Sequence, residues 1–228
     1  MKYGPDIAIT AQLLGDPARA NMVMALMSGQ ALSAAELAHE AGVTPSTATG
    51  HLNKLVSLGL LRGEKQGRHR FFQLCDPDVG EAVEALIAVT ARAGHLRTRP
   101  GPKDEAMRHA RSCYDHLGGR LAVELAGHWV GAGLLAWRGD TLQLTRKGRE
   151  FLAGRGIELG KLDALKRPLC RSCMDWSERR PHLGGALGAA ILSHVMSEGW
   201  AVRGQSVRQV TFSRRGEESF VRWYTPAA

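Results

Sequence analysis

Ser33-Ala-Ala-Glu36-Leu-Ala-His-Glu-Ala-Gly42-Val-Thr44-Pro45-Ser-Thr-Ala-Thr-Gly50-His-Leu-Asn-Lys-Leu-Val-Ser57 is the stretch on which the fold turns. Ser33 and Glu36 have the spacing of a capping box: the Ser side chain takes the Glu amide and the carboxylate reaches back. Leu37, Ala38 and Ala41 then share one helical face, and Gly42 supplies the left-handed residue that ends the helix. Thr44-Pro45 restarts a helix at once, running to about Ser57 with Ala48, Leu52 and Leu55 inward. Two short helices across so tight a glycine turn predict a helix-turn-helix.

The flanks extend the pattern. Upstream, Asp16-Pro17 opens a helix whose apolar face is Met22, Val23, Leu26 and Met27, ending at Gly29. Downstream, Leu60-Leu-Arg-Gly-Glu-Lys65 and Arg68-His-Arg-Phe-Phe-Gln-Leu74 flank Gln66-Gly67, which predicts a hairpin with Arg62, Lys65, Arg68 and Arg70 around its tip. Residues 77–92 then read as a helix with Val79, Val83, Leu86 and Val89 on one face and Ala82 and Ile87 alongside, suited to dimerisation. The expected fold class is mainly α with small β-hairpins, a winged helix.

In this order and spacing the pieces resemble the ArsR/SmtB-type winged-helix regulators over about residues 5–95. The resemblance is carried by Leu14-Gly-Asp-Pro-Ala-Arg19, Thr49-Gly-His-Leu52 with Leu55, Gly59-Leu60-Leu61, and the wing Gly67-Arg-His-Arg-Phe-Phe-Gln-Leu74. It implies a homodimer on double-stranded operator DNA, with recognition helices in successive major grooves and wings along the flanking backbone. On that reading Ser46, Thr47, Thr49 and Asn53 reach base edges or phosphates. Gly50 in mid-helix costs about 1 kcal/mol relative to Ala, and a close backbone approach to DNA accounts for it. Lys54, Arg62, Lys65, Arg68 and Arg70 suit phosphates, which add affinity and salt dependence. His51 is a candidate too, although it sits beside Leu52, where packing against the wing competes. Plain solvation is the competing reading for each of these polar residues taken singly. The family's metal sites are not carried over: Ser33 stands where its Glu-Leu-Cys-Val-type box has Cys, and Asp78–Thr90 holds no His. Cys75, the one thiol of this part, reads as a small buried hydrophobe.

The rest of the chain differs in character. Of a net charge of +8 over 228 residues, +7 falls after residue 100, as do all five tryptophans. Pro100-Gly101-Pro102 interrupts any helix, so the expected domains are 1–96, a linker at 97–105, and 106–228. With 44% hydrophobic and 23% charged residues the composition excludes a disordered or fibrous chain. Leu183–Val195 is too short to span a membrane, the N-terminus with Lys2 and Asp6 lacks the apolar core expected of a secretory signal, and four cysteines are too few for a disulfide scaffold, so the expected compartment is the cytoplasm.

Residues 106–228 contain a duplication. His116–Gly133 aligns with His182–Gly199 at a constant offset of 66, and Arg111-Ser-Cys-Tyr-Asp115 aligns with Arg171-Ser-Cys-Met-Asp175, with six extra residues before the second His. Leu144–Phe151 matches Phe212–Phe220. Each copy, at about 111–154 and 171–224, reads as helix, glycine turn, short hairpin and basic helix start. The expectation is therefore an α+β domain of two winged-helix-like repeats burying Trp-rich strands. Arg146-Lys147 and Arg214-Arg215 are basic pairs that suit either DNA or simple solubility.

Cys113-x-x-His116 with Cys170-x-x-Cys173 forms a Cys3His set at zinc-type spacing. The same Cys-x-x-Cys, flanked by Lys166, Arg167 and Arg171, also suits a lowered thiol pKa and a response to oxidants or thiol-reactive species. An organic effector at a Trp- and Gly-rich interface, and plain burial of the thiols, are the other two readings. The function these features point to is a DNA-binding transcriptional regulator, a repressor rather than an enzyme. A thiol- or metal-dependent enzyme, or a protein-binding module, carrying an accessory winged helix is the competing class.

Overall fold

The structure is a computed structural model that describes residues 4–67, 69–94, 105–139, 141–175, 177–204 and 208–226. Arg68, Trp176 and the expected linker up to residue 104 lie outside the described residues. The chain divides into two compact units, Met1–Val83 and Glu84–Ala228. The division falls inside a helix, ahead of the Pro-Gly-Pro segment.

In the first unit the helices are α1 (Ile7–Leu14), α2 (Pro17–Leu26), α3 (Ala34–Ala41) and α4 (Pro45–Ser57). Each starts where a side chain takes an orphan amide. Asp16 accepts from Arg19 N, the Ser33–Glu36 box is formed in both directions, and Thr44 accepts from Thr47 N. Gly42 ends α3 at φ 67. Strand β1 (Leu32–Ser33) joins the wing strands β2 (Leu61–Gln66) and β3 (His69–Leu74) in an antiparallel sheet of order β1-β3-β2, with Lys65 opposite Arg70. Met22, Leu26, Leu37, Leu52, Leu55 and Phe72 form the core. Helix α5 (Pro77–Arg92) begins in this unit and ends in the next.

After the end of α5 the second unit continues with α6 (Glu105–His109) and contains each duplicated element twice. The first copy is β4 (Arg111–Cys113), β5 (His116–Gly118), α7 (Arg120–Gly131), β6 (Leu135–Arg138), β7 (Thr141–Leu144) and α8 (Arg146–Leu152). After α9 (Leu159–Asp163) come β8 (Arg171–Asp175), β9 (Arg180–Gly184), α10 (Gly185–Ser197), β10 (Ala201–Arg203), β11 (Val210–Phe212) and α11 (Arg214–Tyr224). The helix–hairpin–helix order of each copy is the one the duplication implies. Each copy also begins with a hairpin that the sequence reading lacks: the His of each repeat stands in a strand, one turn ahead of its helix. The six extra residues lengthen the second hairpin while keeping Cys173 opposite His182, as Cys113 is opposite His116.

The buried tryptophans correct the expectation of Trp-rich strands. Trp129 and Trp223 lie on α7 and α11, where Trp129 donates to Tyr224 O, whereas Trp137 on β6 is 42% exposed. A helix face in the interior can bury an indole on all sides, while the outer face of a two-stranded hairpin cannot. Gly119 (φ 92) and Gly185 (φ 79) turn the strand into the helix in the two copies, and a Cβ there would come within 2.7 Å of Arg108 O or 2.8 Å of Pro168 O. Among the described residues no helix is long and apolar enough to cross a membrane.

Candidate functional site

On α4 burial separates the residues cleanly. Ala48, Leu52 and Leu55 are fully enclosed, and Ser46, Thr47, Thr49, Gly50, Asn53 and Lys54 are exposed. Thr44 Oγ1 lies 3.0 Å from Ser46 Oγ and 2.9 Å from Thr47 Oγ1, while Thr49 donates to Pro45 O, so the hydroxyls sit in fixed places. Nothing lies within 4 Å of a Cβ built on Gly50, which leaves its backbone open to close approach.

The wing is tied to this helix. Arg70 donates to Asn53 Oδ1 at 3.1 Å, and its guanidinium lies 4.9 Å from the Phe72 ring centre. Gly63 makes room for it, since a Cβ there would come within 2.8 Å of Arg70 Nε. Arg62 and Lys65 are exposed. His51 departs from the expected set: its Nδ1 is 3.3 Å from Arg19 Nη1 and 3.9 Å from Asp16 Oδ1, half-buried against the start of α2.

In the second unit Cys113, His116, Cys173 and His182 converge, all buried, with their ligand atoms within 4.8 Å of one another. Each hairpin contributes one thiol and, directly across the ladder, one imidazole. The two Sγ atoms are 3.8 Å apart and the two Nε2 atoms 3.1 Å apart. Gly118 and Gly184 keep the space clear: a Cβ on the first would lie 3.0 Å from Cys113 Cβ, and on the second 3.1 Å from the His116 ring. This cluster can hold a metal ion.

Carboxylates stand behind both rings. His116 Nδ1 is 3.3 Å from Glu84 Oε1 and 3.4 Å from Asp115 Oδ1, and His182 Nδ1 is 3.7 Å from Asp175 Oδ2. Asp175 is held by two 2.7 Å hydrogen bonds from Arg111 and one from Gly119 N. Arg171, the second-copy counterpart of Arg111, pairs with Glu84, and Arg167 pairs with Asp115. The hydrogen bond from Cys173 and the adjacent His116 hold the Cys113 thiol well below its usual range. Its bond to Cys113 and burial raise Cys173. Burial alone would lower His116, but the Cys113 thiolate and Asp115 outweigh it and raise the ring to about 10. Burial pushes Glu84 up to about 7 against the pull of His116, whereas Arg111 overcomes burial and holds Asp175 at about 2. A thiolate beside an imidazolium, a second thiol and a second imidazole make a ligand set for a soft cation and, equally, a redox-active dithiol.

The structure brings together three of the four residues of the Cys3His reading and corrects the fourth. Cys170 lies apart, half-buried against the core near Leu144, Arg149 and Asp163, its thiol pushed up to about 11 by burial. Residues an odd number apart in a strand point to opposite faces, so a Cys-x-x-Cys entering β8 does not chelate as one on a turn does. His182 takes its place. Its signal was in the sequence, because the offset of 66 that pairs the repeats also pairs His116 with His182. Glu84 carried no such signal; on α5 it falls on the same helical stripe as Gly80, Val83 and Ile87.

A helix-turn-helix with a basic wing and an open polar recognition face defines a DNA-binding regulator. A helix-turn-helix domain family matches residues 14–64. The "Uncharacterized HTH-type transcriptional regulator YdfF" of Bacillus subtilis (strain 168) is 36% identical over 216 residues, covering 95% of this chain and 96% of that protein. The chain belongs to this family of HTH-type transcriptional regulators. Among solved structures, a homodimeric winged helix-turn-helix domain from Mycobacterium bovis, described as a possible ArsR-family regulator, is 22% identical with a TM-score of 0.34. It covers 43% of this chain and 96% of that one. The cadmium sensor CMTR from Mycobacterium tuberculosis is 29% identical with a TM-score of 0.32, covering 36% of this chain and 85% of that one.

Proposed function

We propose that the chain is a homodimeric cytoplasmic repressor, not an enzyme, that binds operator DNA through α4 and the wing and takes its regulatory input in the second unit. The observation that carries this reading is the face of α4: Ser46, Thr47, Thr49, Gly50, Asn53 and Lys54 are exposed together above a sealed apolar face. Short side chains on such a face read base edges, and Arg62, Lys65 and Arg70 of the wing, with Arg68 between them in sequence, supply phosphate contacts. Dimerisation is supported by Leu86 and Val89 of α5, each about half exposed at helical spacing. The Cys/His cluster is the place where the input enters, with zinc as the candidate ion.

Counterion release supplies the test. Affinity for the chain's own upstream DNA is measured by fluorescence anisotropy across a salt series. The logarithmic slope falls by about 0.9 for each phosphate the protein ceases to neutralise, so replacing Arg62 and Lys65 with Ala should flatten it while the fold is kept. A slope equal to that of the wild type would remove the wing from the interface. Binding that ignores salt and sequence altogether would overturn the DNA-binding reading.

A further inference from the structure

We infer that Cys113, His116, Cys173 and His182 bind one tetrahedral divalent ion of the zinc class, with Glu84 orienting the His116 ring from outside the coordination shell. This deepens the function proposed above by assigning the ion its four ligands, its geometry and its outer carboxylate. It rests on that reading only for what the ion controls.

The distances suit the ion. Two sulfurs each about 2.3 Å from a tetrahedral centre lie about 3.8 Å apart, and two imidazole nitrogens at about 2.05 Å lie about 3.3 Å apart. The observed separations are 3.8 Å and 3.1 Å. Ring orientation agrees as well. Each Nδ1 faces a carboxylate, which favours a proton there and leaves Nε2 as the ligating atom, and the two Nε2 atoms point at each other. In the ion-free site a proton joins the two Nε2 atoms across 3.1 Å, and an ion that displaces it sits at that place with the two thiols beside it.

The donor chemistry selects the ion. Two thiolates and two imidazoles suit a soft or borderline ion in tetrahedral geometry, whereas magnesium and calcium require oxygen ligands. All four donors come from protein and all are buried, leaving no open position for substrate water, so the site is of the closed kind. Carboxylates back both ligand histidines, as in carboxylate–histidine–metal sites: Asp115 hydrogen-bonds His116 Nδ1, Glu84 lies 3.3 Å from the same atom, and Asp175 lies 3.7 Å from His182 Nδ1. Glu84 stands on α5, the helix in which the chain passes from the first unit to the second. Ion binding therefore fixes a residue of that helix.

The full chain, purified reduced under nitrogen, is titrated with zinc against a chromophoric chelator, and separately with cobalt(II). About one ion per chain is expected, with the strong visible absorption of tetrahedral cobalt and thiolate-to-cobalt charge transfer. Cys173→Ser and His182→Ala should weaken zinc binding by more than Glu84→Gln, for which about 10–100-fold is expected. Cys170→Ser should leave it unchanged. His182→Cys, which keeps four donors, should retain the ion and so separates ligand loss from misfolding. A wild-type chain that takes up no zinc, a cobalt spectrum without thiolate charge transfer, or loss of the ion in Cys170→Ser but not in His182→Ala would each overturn the inference. A chain that binds no ion and loses about two daltons on mild oxidation would replace it with a Cys113–Cys173 dithiol switch. DNA affinity is read on the same samples: a loaded site with unchanged DNA binding would sink the regulatory role and leave the metal centre standing.

Discussion

Asp175 accepts two hydrogen bonds from Arg111, one from the backbone of Gly119, and further bonds from Ser177 and Glu178, and neither it nor Arg111 is exposed to solvent. The pair lies between Arg-Ser-Cys of one copy and Cys-x-Asp of the other, so it locks the two hairpins that carry the cluster. Removing one partner of a buried pair leaves the other charge desolvated, at a cost of about 3–5 kcal/mol. Asp175→Ala should lower unfolding free energy by that amount in a urea titration at neutral pH, and an effect below about 1 kcal/mol would show that Arg111 is satisfied elsewhere. Among single residues the sequence was half legible. Cys113, His116 and Cys173 stood out by residue type, but the fourth partner was sought at short spacing and lay across a second hairpin. Glu84 is an ordinary acid in an amphipathic helix until the fold carries the cluster to it.

Elements were more legible, because caps and turns are local chemistry. Asp16-Pro17, the Ser33–Glu36 box, Gly42 and Thr44-Pro45 each act through neighbours within four residues, and each occurs where the sequence put it. Ser33→Ala should cost about 1 kcal/mol, read as a lowered midpoint in thermal or urea unfolding. The side-chain and backbone hydrogen bonds from Ser33 hold the Glu36 carboxyl below its usual value. A carboxyl lowered in the folded state stabilises above its unfolded pKa and loses that contribution as pH falls through the folded one. The deficit of Ser33→Ala should therefore shrink toward acid pH; a deficit that stays constant would mean that the hydroxyl packs rather than caps. The hairpins of the second unit were less legible, since three-residue strands carry almost no alternation to read.

For the whole molecule, the features a sequence suggests must be assembled by contacts distant along the chain. Leu86 and Val89 are 51% and 52% exposed, a cost in water that a second chain can relieve. If the proposed dimer forms through this face, Leu86→Glu with Val89→Glu should leave a monomer by sedimentation where the wild type is a dimer, and weaken operator binding because a paired half-site is lost. A double variant that remains dimeric would place the interface elsewhere. The core of the second unit is likewise collective. Trp129 and Trp223 bury their rings against each other on helices from different copies, 6.0 Å between ring centres, and no spacing within either copy announces the pair.

The helix-turn-helix, its wing, the duplication and the neutral-then-basic division of charge all follow from the order of residues alone, because each depends on neighbours in the chain or on simple repetition. Folding in three dimensions was needed to bring the duplicated Cys and His together as two cross-strand pairs, to leave Cys170 outside, and to stand Glu84 behind His116. Those outcomes depend on strand register and on two hairpins facing each other, and a one-residue shift of register would have turned every one of the strand-borne side chains to the opposite face.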